Sequence, residues 1–292
     1  MSELLAPGAA LEHLAAVSIW AEGPAWIAES ERLRWSDVVG NRIFEFDAAS
    51  GQVSVYREGV EFVNGRTIDA DGAVVQCSHG RRRVERDTHG VVAPVVEGWA
   101  GGRFNSPNDV VEASDGAVWF TDPPYGIDPS GREGHPGTSD YDGCYVFRVD
   151  RASGVAEPVV TDMVHPNGLA FSPNESLLYV ADTGNLQVEG AIGAIRVYQV
   201  DGARCHSGRE FARVRPGAAD GFRVDTEGRL WSSSQDSVQV FSPDAELLLR
   251  IPVPETVSNL CFGGDGHDLY ITATTGLYRI RTTALAARRP TR

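Results

Sequence analysis

The chain contains no lysine, because all 26 basic residues among its 292 are arginine. Schiff-base chemistry and lysine nucleophiles are therefore excluded. The 40 acidic residues outnumber the arginines and give a net charge of −14. The two short arginine clusters, at 81–83 and 288–292, are typical of solvated surface turns and tails. Nucleic acid is not an expected partner, since phosphate binding requires a basic face.

Cysteines are few and far apart, with no Cys-x-x-Cys pair. A cysteine zinc site and a disulfide framework are therefore not expected, and reduced thiols are. No apolar run approaches the ~20 residues that span a membrane. The first residues carry an acid and no basic region, so they do not read as a signal peptide. These features predict a soluble, cytoplasmic protein and leave its oligomeric state open.

Several catalytic motifs are also missing. The chain has no Gly-x-Ser-x-Gly elbow, no His-Glu-x-x-His pair and no phosphate-binding glycine loop followed by lysine. Chemistry that depends on those motifs is disfavoured.

Long helical periodicity is nearly absent, and only residues 8–17 are predicted to form a short helix. The remainder consists of short runs rich in Val, Ile, Phe, Tyr and Trp, separated by Asp-Gly, Ser-Gly and Pro-Asn turns. Such runs predict strands, and the 32 glycines and 16 prolines supply the turns between them. The fold class is therefore all-β.

A hairpin motif of apolar strand, acidic or glycine turn and apolar strand recurs six times. The second strand of each hairpin opens on an apolar residue, and these are Leu33, Val74, Val118, Leu178, Leu230 and Leu269. A period near 40 to 50 residues predicts a six-bladed β-propeller with four-stranded antiparallel blades. We expect a single domain over 1–292, with 1–18 as an N-terminal extension. The two longest spacings mark insertions, one at 127–142 that we predict to be a lid and one near 184–193.

Ten or eleven residues before each of these apolar positions stands an acid or a carboxamide. The six residues are Glu22, Asn64, Asn108, Asn167, Asp220 and Asn259. Because the innermost strands of a propeller surround its axis and start at one end, we expect these side chains to converge there. A ring of oxygen donors without Cys or His suits a hard cation such as Ca²⁺ or Mg²⁺.

Five motifs in order resemble the regucalcin/gluconolactonase/luciferin-regenerating family, and its bacterial gluconolactonase branch matches best. They are Glu22-Gly-Pro-Ala-Trp, Arg103-Phe-Asn-Ser-Pro-Asn-Asp, Thr121-Asp-Pro-Pro-Tyr-Gly, His165-Pro-Asn-Gly-Leu-Ala-Phe-Ser and Asp220-Gly-Phe-Arg-Val-Asp. The resemblance implies one divalent metal near the axis, Ca²⁺ first and Mg²⁺, Mn²⁺ or Zn²⁺ as alternatives. Its ligands would be Glu22, Asn108, Asn167 and Asp220. Asn64 and Asn259 would support these ligands or contact substrate.

The resemblance also implies hydrolysis of an aldonolactone, such as glucono-1,5-lactone, with the metal acting as a Lewis acid on the lactone carbonyl. Calcium polarises water less than zinc does, so a general base is expected, either Asp220 or, second, Asp109. The residues expected to contact the sugar hydroxyls are Arg103, Asn105, Asn108 and Tyr125. His165 is left open between the rim of the site and a surface or capping role.

Two alternatives remain at this point. The same site could act on aryl esters or phosphotriesters, or the propeller could bind calcium without catalysis.

Overall fold

A computed structural model describes residues 3–287, and these form almost only β-structure. The arginine cluster at 288–292 lies outside the described residues. Six antiparallel sheets of four strands follow one another along the chain. The innermost strands of successive blades contact one another, and those of the first and last blades also meet. The predicted six-bladed propeller is confirmed.

The blades are numbered from the N-terminus, with strands given from the axis outward. Blade 1 contains Ala21–Ile27, Arg32–Asp37, Arg42–Asp47 and Gln52–Glu58. Blade 2 contains Val63–Ile68, Val74–Ser78, Arg83–Thr88 and Val91–Val96. Blade 3 contains Val110–Glu112, Val118–Asp122, Cys144–Asp150 and Val155–Met163. Blade 4 contains Pro166–Phe171, Leu177–Asp182, Ala194–Asp201 and Arg204–Ala212. Blade 5 contains Phe222–Val224, Leu230–Ser232, Ser237–Phe241 and Leu247–Pro252. Blade 6 contains Val257–Gly263, Asp268–Ala273, Gly276–Arg281 and, outermost, Glu12–Ala16.

Three small elements complete the described chain. A two-stranded hairpin joins Gly98–Trp99 to Gly102–Arg103. Two 3₁₀ turns, Tyr125–Ile127 and Gly184–Leu186, follow the second strands of blades 3 and 4. Within residues 3–287 no helix is long and apolar enough to cross a bilayer.

The helix predicted over 8–17 is wrong. Glu12–Ala16 is a strand that pairs antiparallel with Gly276–Arg281 and supplies the fourth strand of blade 6. An isolated helix of this length gains little because its nucleation is unfavourable. The open edge of blade 6, in contrast, offers a full ladder of hydrogen bonds. The segment thus joins the two ends of the described chain and closes the ring of blades.

The hydrophobic core is divided among the spaces between blades. All six apolar residues that set the period lie on second strands and are buried. Aromatic side chains then pack across blade boundaries: Trp119 lies edge-on to Phe171 with ring centroids 5.3 Å apart. Trp231 meets Phe262 in the same way at 5.6 Å. Each blade is therefore stabilised mainly by its neighbours.

Trp231 tests this packing. It is fully buried between blades 5 and 6, and its Nε1 donates to Asp225 Oδ2 at 2.9 Å. We expect Trp231→Ala to lower the free energy of unfolding by about 3–5 kcal/mol, because it leaves a cavity and removes a hydrogen bond. Denaturant unfolding followed by circular dichroism measures the change. Leu248→Ala, at a half-exposed position of the same blade, is the control and should shift stability by less than about 0.5 kcal/mol.

Candidate functional site

The six residues predicted to form a ring are carried to one end of the propeller axis by the starts of the innermost strands. Glu22, Asn64, Asn167 and Asn259 lie on those strands, each where the pairing register shifts. Asn108 and Asp220 each precede their strand by two residues. Register shifts of this kind redirect a side chain from its regular alternation, here toward the axis.

Glycine follows four of the six ring residues, and the structure shows why. A Cβ atom at Gly168 would lie 2.1 Å from the carbonyl oxygen of Asp220, on the next blade. At Gly23 it would lie 2.2 Å from the carbonyl oxygen of Asn64. Only glycine permits inner strands to approach this closely, and Gly168 N–H donates to the Asp220 carbonyl at 3.1 Å. This repeated glycine is visible in the sequence, and our sequence analysis did not use it.

A cavity of about 160 Å³ opens above the ring. Its lining comprises Trp20, Glu22, Asn64, Asn108, Tyr125, Glu133, Asn167, Thr183, Leu186, Gln187 and Asp220. A larger groove of about 670 Å³ lies at the outer edge between blades 3 and 4. That groove contains none of the ring residues, so the smaller cavity is the candidate site.

Two carboxyl groups face each other in this cavity. Burial, followed by the nearby charge of Asp220, raises the pKa of Glu22 well above its usual value. Burial, with the charges of Glu133 and Asp109, raises the pKa of Asp220 to about 8. Glu22 Oε2 accepts from Gly23 N–H at 2.9 Å and from Asn259 Nδ2 at 3.2 Å. The cluster of acids is thus held together without a basic side chain among the cavity-lining residues.

A buried histidine that our sequence analysis missed contacts two ring amides. His79 Nε2 lies 3.3 Å from Asn64 Nδ2 and 3.4 Å from Asn108 Nδ2. Its Nδ1 lies 2.9 Å from the carbonyl oxygen of Glu133. Burial lowers the pKa of His79 to about 4, so the ring is neutral at physiological pH. No spacing signal in the sequence marks this contact, because His79 follows the second strand of blade 2.

Asp109, the alternative base, lies below the ring and does not line the cavity. It is buried, its Oδ1 accepts from Val110 N–H at 2.9 Å, and its Oδ2 lies 3.8 Å from Arg223 Nη1. Asn259 Nδ2 approaches Asp109 Oδ2 at 3.5 Å as well as Glu22. Asn259 therefore orients the carboxyl groups of Glu22 and Asp109. Asp109 faces the opposite end of the channel, where Arg223 lines a separate groove.

Tyr125 does line the cavity, as expected of a substrate contact. Its hydroxyl and Thr183 Oγ1 are 2.5 Å apart, and burial raises the pKa of Tyr125. Thr183 Oγ1 also accepts from Asn167 Nδ2 at 3.4 Å. His165 packs edge-on against Tyr125 with ring centroids 5.5 Å apart, and it does not line the cavity. His165 thus supports Tyr125 from behind.

Two predicted substrate contacts do not reach the cavity. Arg103 is exposed on the small hairpin, where its backbone N–H donates to Asp140 at 2.8 Å. Asn105 is fully buried, and its Nδ2 donates to the carbonyl oxygens of Asp122 and Gly143 at 3.2 and 3.1 Å. The chain turns between these residues and Asn108, so closeness in sequence does not place them together.

The cavity mouth is built by segments outside the repeat. The 127–142 insertion contributes Glu133, and the 184–193 insertion contributes Leu186 and Gln187. Trp20, just before the first strand of blade 1, adds an aromatic wall. Glu133, Leu186, Gln187 and Trp20 were not predicted, since nothing in their local sequence indicates that they overhang the axis.

The chemistry of the ring fits a hard divalent cation. Burial and the charges of nearby acids disfavour the ionised forms of Glu22 and Asp220, and a cation between the two carboxyls would favour those forms. Asn64 Oδ1 is buried, and no group in residues 3–287 donates to it, so an amide oxygen is left for a ligand. In the same part of the chain no three His, Cys, Asp or Glu side chains form a metal-binding group. The oxygen donors that the ring residues offer to the cavity belong to carboxyl and amide groups.

The fold and the ring place the protein in the class of six-bladed propellers that carry oxygen donors around one end of the axis. Residues 20–275 match the SMP-30/Gluconolactonase/LRE-like region. The chain belongs to that family, and the resemblance read from its motifs is confirmed.

Individual relatives agree with this placement. A gluconolactonase of Zymomonas mobilis is 30% identical over 93% of this chain and 81% of its own. A 6-deoxy-6-sulfogluconolactonase of Pseudomonas putida is 29% identical over 88% of this chain and 84% of its own. The solved structure of a Xanthomonas campestris gluconolactonase is 39% identical, has a TM-score of 0.90, and covers 96% of this chain and 91% of its own.

The glycine contacts at the axis yield a prediction. Gly168→Ala should force apart the strands that carry Asn167 and Asp220, because the new methyl group meets backbone. We expect a loss of about 1–3 kcal/mol in the free energy of unfolding, typical of overpacking. Gly137→Ala, whose Cβ would meet Ile127 at 3.5 Å, an ordinary contact distance, is the stability control. Equal stability of the two variants in denaturant would contradict the close approach of the strands.

Proposed function

We propose that the chain is a lactone hydrolase acting on a sugar lactone with the help of one divalent cation, calcium first. The observation that carries the proposal is the pair of buried acids, Glu22 and Asp220, facing a cavity whose other ring donors are amides. The named lactonases among the relatives support the reaction class. The preferred lactone and the resident metal are part of the proposal.

Four ring residues would hold the cation, namely Glu22, Asn108, Asn167 and Asp220. When bound, the cation supplies Lewis-acid polarisation of the lactone carbonyl. Asn64, with its unpaired Oδ1 in the same cavity wall, is placed either to complete the donor set or to bind a sugar hydroxyl.

Asp220 is the proposed general base. As a carboxylate it takes one proton from the attacking water while the water oxygen bonds to the carbonyl carbon. The bond between that carbon and the ring oxygen then breaks, and the proton passes to the departing oxygen to give the open hydroxy acid. A carboxylate that also binds a cation is a weak base, so Asp220 must keep one oxygen free for this role. Asp220 lines the cavity, whereas Asp109 has both oxygens occupied beneath the ring.

Recognition of the lactone falls to the cavity mouth. Tyr125, Thr183 and Gln187 offer polar groups for hydroxyls, and Trp20 and Leu186 offer apolar surface for the ring face. Sugars are bound by this combination of hydrogen bonds and aromatic contact. Because the cavity is small, a single sugar ring is the substrate class that fits.

The role of Asp220 can be tested directly. Asp220→Asn should lower the rate of lactone hydrolysis by about a hundredfold or more, since the amide cannot accept the proton. Asp244→Asn, at an exposed turn of blade 5, is the matched control. Hydrolysis is followed by acid release with a pH indicator. Full cation-dependent activity in Asp220→Asn would refute the assignment.

Cation removal tests the rest of the proposal. Protein stripped with a chelator should lose activity on aldonolactones, and Ca²⁺ should restore it, with Mg²⁺, Mn²⁺ and Zn²⁺ compared in parallel. Aryl esters and phosphotriesters belong in the same panel, because preference for them would favour the esterase alternative. Cation binding with no hydrolysis of any substrate would favour a non-catalytic propeller.

A further inference from the structure

One buried imidazole joins two blades of the ring to the segment above the cavity. His79 contacts Asn64 of blade 2 and Asn108, which leads into blade 3. On its other side it contacts the backbone of Glu133, within the 127–142 insertion. All three polar side chains of this cluster, those of His79, Asn64 and Asn108, are at least nine-tenths buried.

The hydrogen-bond partners determine the tautomer of His79. The Glu133 carbonyl oxygen can only accept, so the proton of the neutral ring lies on Nδ1. Nε2 then has a lone pair and accepts. An amide NH₂ can only donate, so both Asn64 and Asn108 turn their nitrogens toward Nε2. The two distances, 3.3 and 3.4 Å, are long for hydrogen bonds, in keeping with two donors sharing one lone pair.

This arrangement decides where the amide oxygens point. With Nδ2 directed at His79, Oδ1 of each asparagine lies at the opposite corner of its amide, away from the imidazole. Rotating either amide by half a turn would set its oxygen against the Nε2 lone pair, and the two would repel each other. The unpaired Asn64 Oδ1 is the product of this orientation. An oxygen-binding cation needs the amides turned in this sense.

The imidazole is held by close backbone packing. A Cβ at Gly126 would lie 2.5 Å from His79 Cβ, and one at Gly134 would lie 2.0 Å from the Gly126 carbonyl oxygen. The backbone at Gly126 therefore packs directly against His79, and the backbone at Gly134 packs against Gly126.

We propose that His79 is a positioning residue, whose Nδ1–H tautomer turns the amide oxygens of Asn64 and Asn108 toward the axis and ties them to the 126–134 backbone. Its effect on activity rests on the proposed cation-assisted lactone hydrolysis. Its effect on amide orientation does not.

Two variants separate the contact of His79 with the two asparagines from its contact with the Glu133 backbone. In His79→Gln the side-chain oxygen can take the place of Nε2 and accept from both asparagines, while the bond to Glu133 is lost. In His79→Asn the shorter amide can donate to Glu133 as Nδ1 does, while no acceptor remains for the asparagines. His206→Asn, at an exposed site on an outer strand of blade 4, is the control.

Calorimetric titration of chelator-stripped protein with Ca²⁺ gives the first readout. We expect His79→Asn to weaken Ca²⁺ binding by about tenfold or more, the size of effect seen when a group that orients metal ligands is removed. His79→Gln and His206→Asn should stay close to wild type. Equal loss of affinity in both His79 variants, in step with their melting temperatures, would show a packing role only and overturn the proposal.

Nitrogen-15 NMR of the histidine side chains gives a readout independent of metal and of activity. Wild-type protein should show a neutral histidine protonated at Nδ1 whose signal is absent from His79→Gln. His267, whose Nδ1 lies 2.7 Å from the carbonyl oxygen of Ala284, should keep its own signal in that variant. A doubly protonated ring, or a proton on Nε2, overturns the proposal. If Ca²⁺ affinity depends on His79 but no lactone is hydrolysed, the proposed function fails and the positioning role stands. If wild type binds no divalent cation, the cation site fails and the tautomer still decides the role of His79.

Discussion

The structure depends on how closely six innermost strands can approach one axis. Cβ atoms at Gly23 and Gly168 would fall within 2.2 Å of backbone oxygens on the next blade, and those at Gly65 and Gly221 within 2.4 Å of the side chains of Asp109 and Asn259. At three of these glycines a backbone hydrogen bond to the next blade takes the place of a side chain. Gly65 N–H donates to the Asn108 carbonyl at 2.8 Å, Gly168 N–H to the Asp220 carbonyl at 3.1 Å and Gly221 N–H to the Ser258 carbonyl at 2.7 Å. The residue before each glycine then has its side chain directed at the axis. The close approach of the inner strands thus also brings the oxygen donors together at the axis.

The convergence of acidic side chains at the axis has an electrostatic cost. Burial raises the pKa of both Glu22 and Asp220. The charges of Asp220 and Asp109 raise the pKa of Glu22 further, and those of Glu133 and Asp109 raise the pKa of Asp220. Arg223, 3.8 Å from Asp109, and the buried Arg66 moderate this charge from outside the cavity. None of the residues that line the cavity has a basic side chain, so a bound cation would supply the counter-charge there. Arginine side chains therefore lie near the acids at one end of the channel, and none lies among the residues that line the cavity at the other end.

The part of the fold that repeats could be read from the sequence. The hairpin period located the second strands, and a fixed offset from Val118 or Leu230 reached Asn108 and Asp220 without any knowledge of contacts. The elements that do not repeat were not predicted. Glu12–Ala16 becomes a strand only because blade 6 has an open edge far away in sequence. The local hydrophobic pattern of a segment does not indicate pairing with a strand that is distant in sequence.

The same distinction explains the errors at the site. Arg103 and Asn105 were placed in the cavity because they stand near Asn108 in sequence, but the hairpin and a buried polar network hold them elsewhere. Trp20, Glu133 and His79 were missed because they enter from loops, where position depends on packing and not on period. The axial ring is carried by the repeating strands, whereas the cavity mouth and the group that orients the ring amides come from non-repeating segments. A change in those segments can therefore alter what the cavity admits while the close packing that creates the ring is preserved.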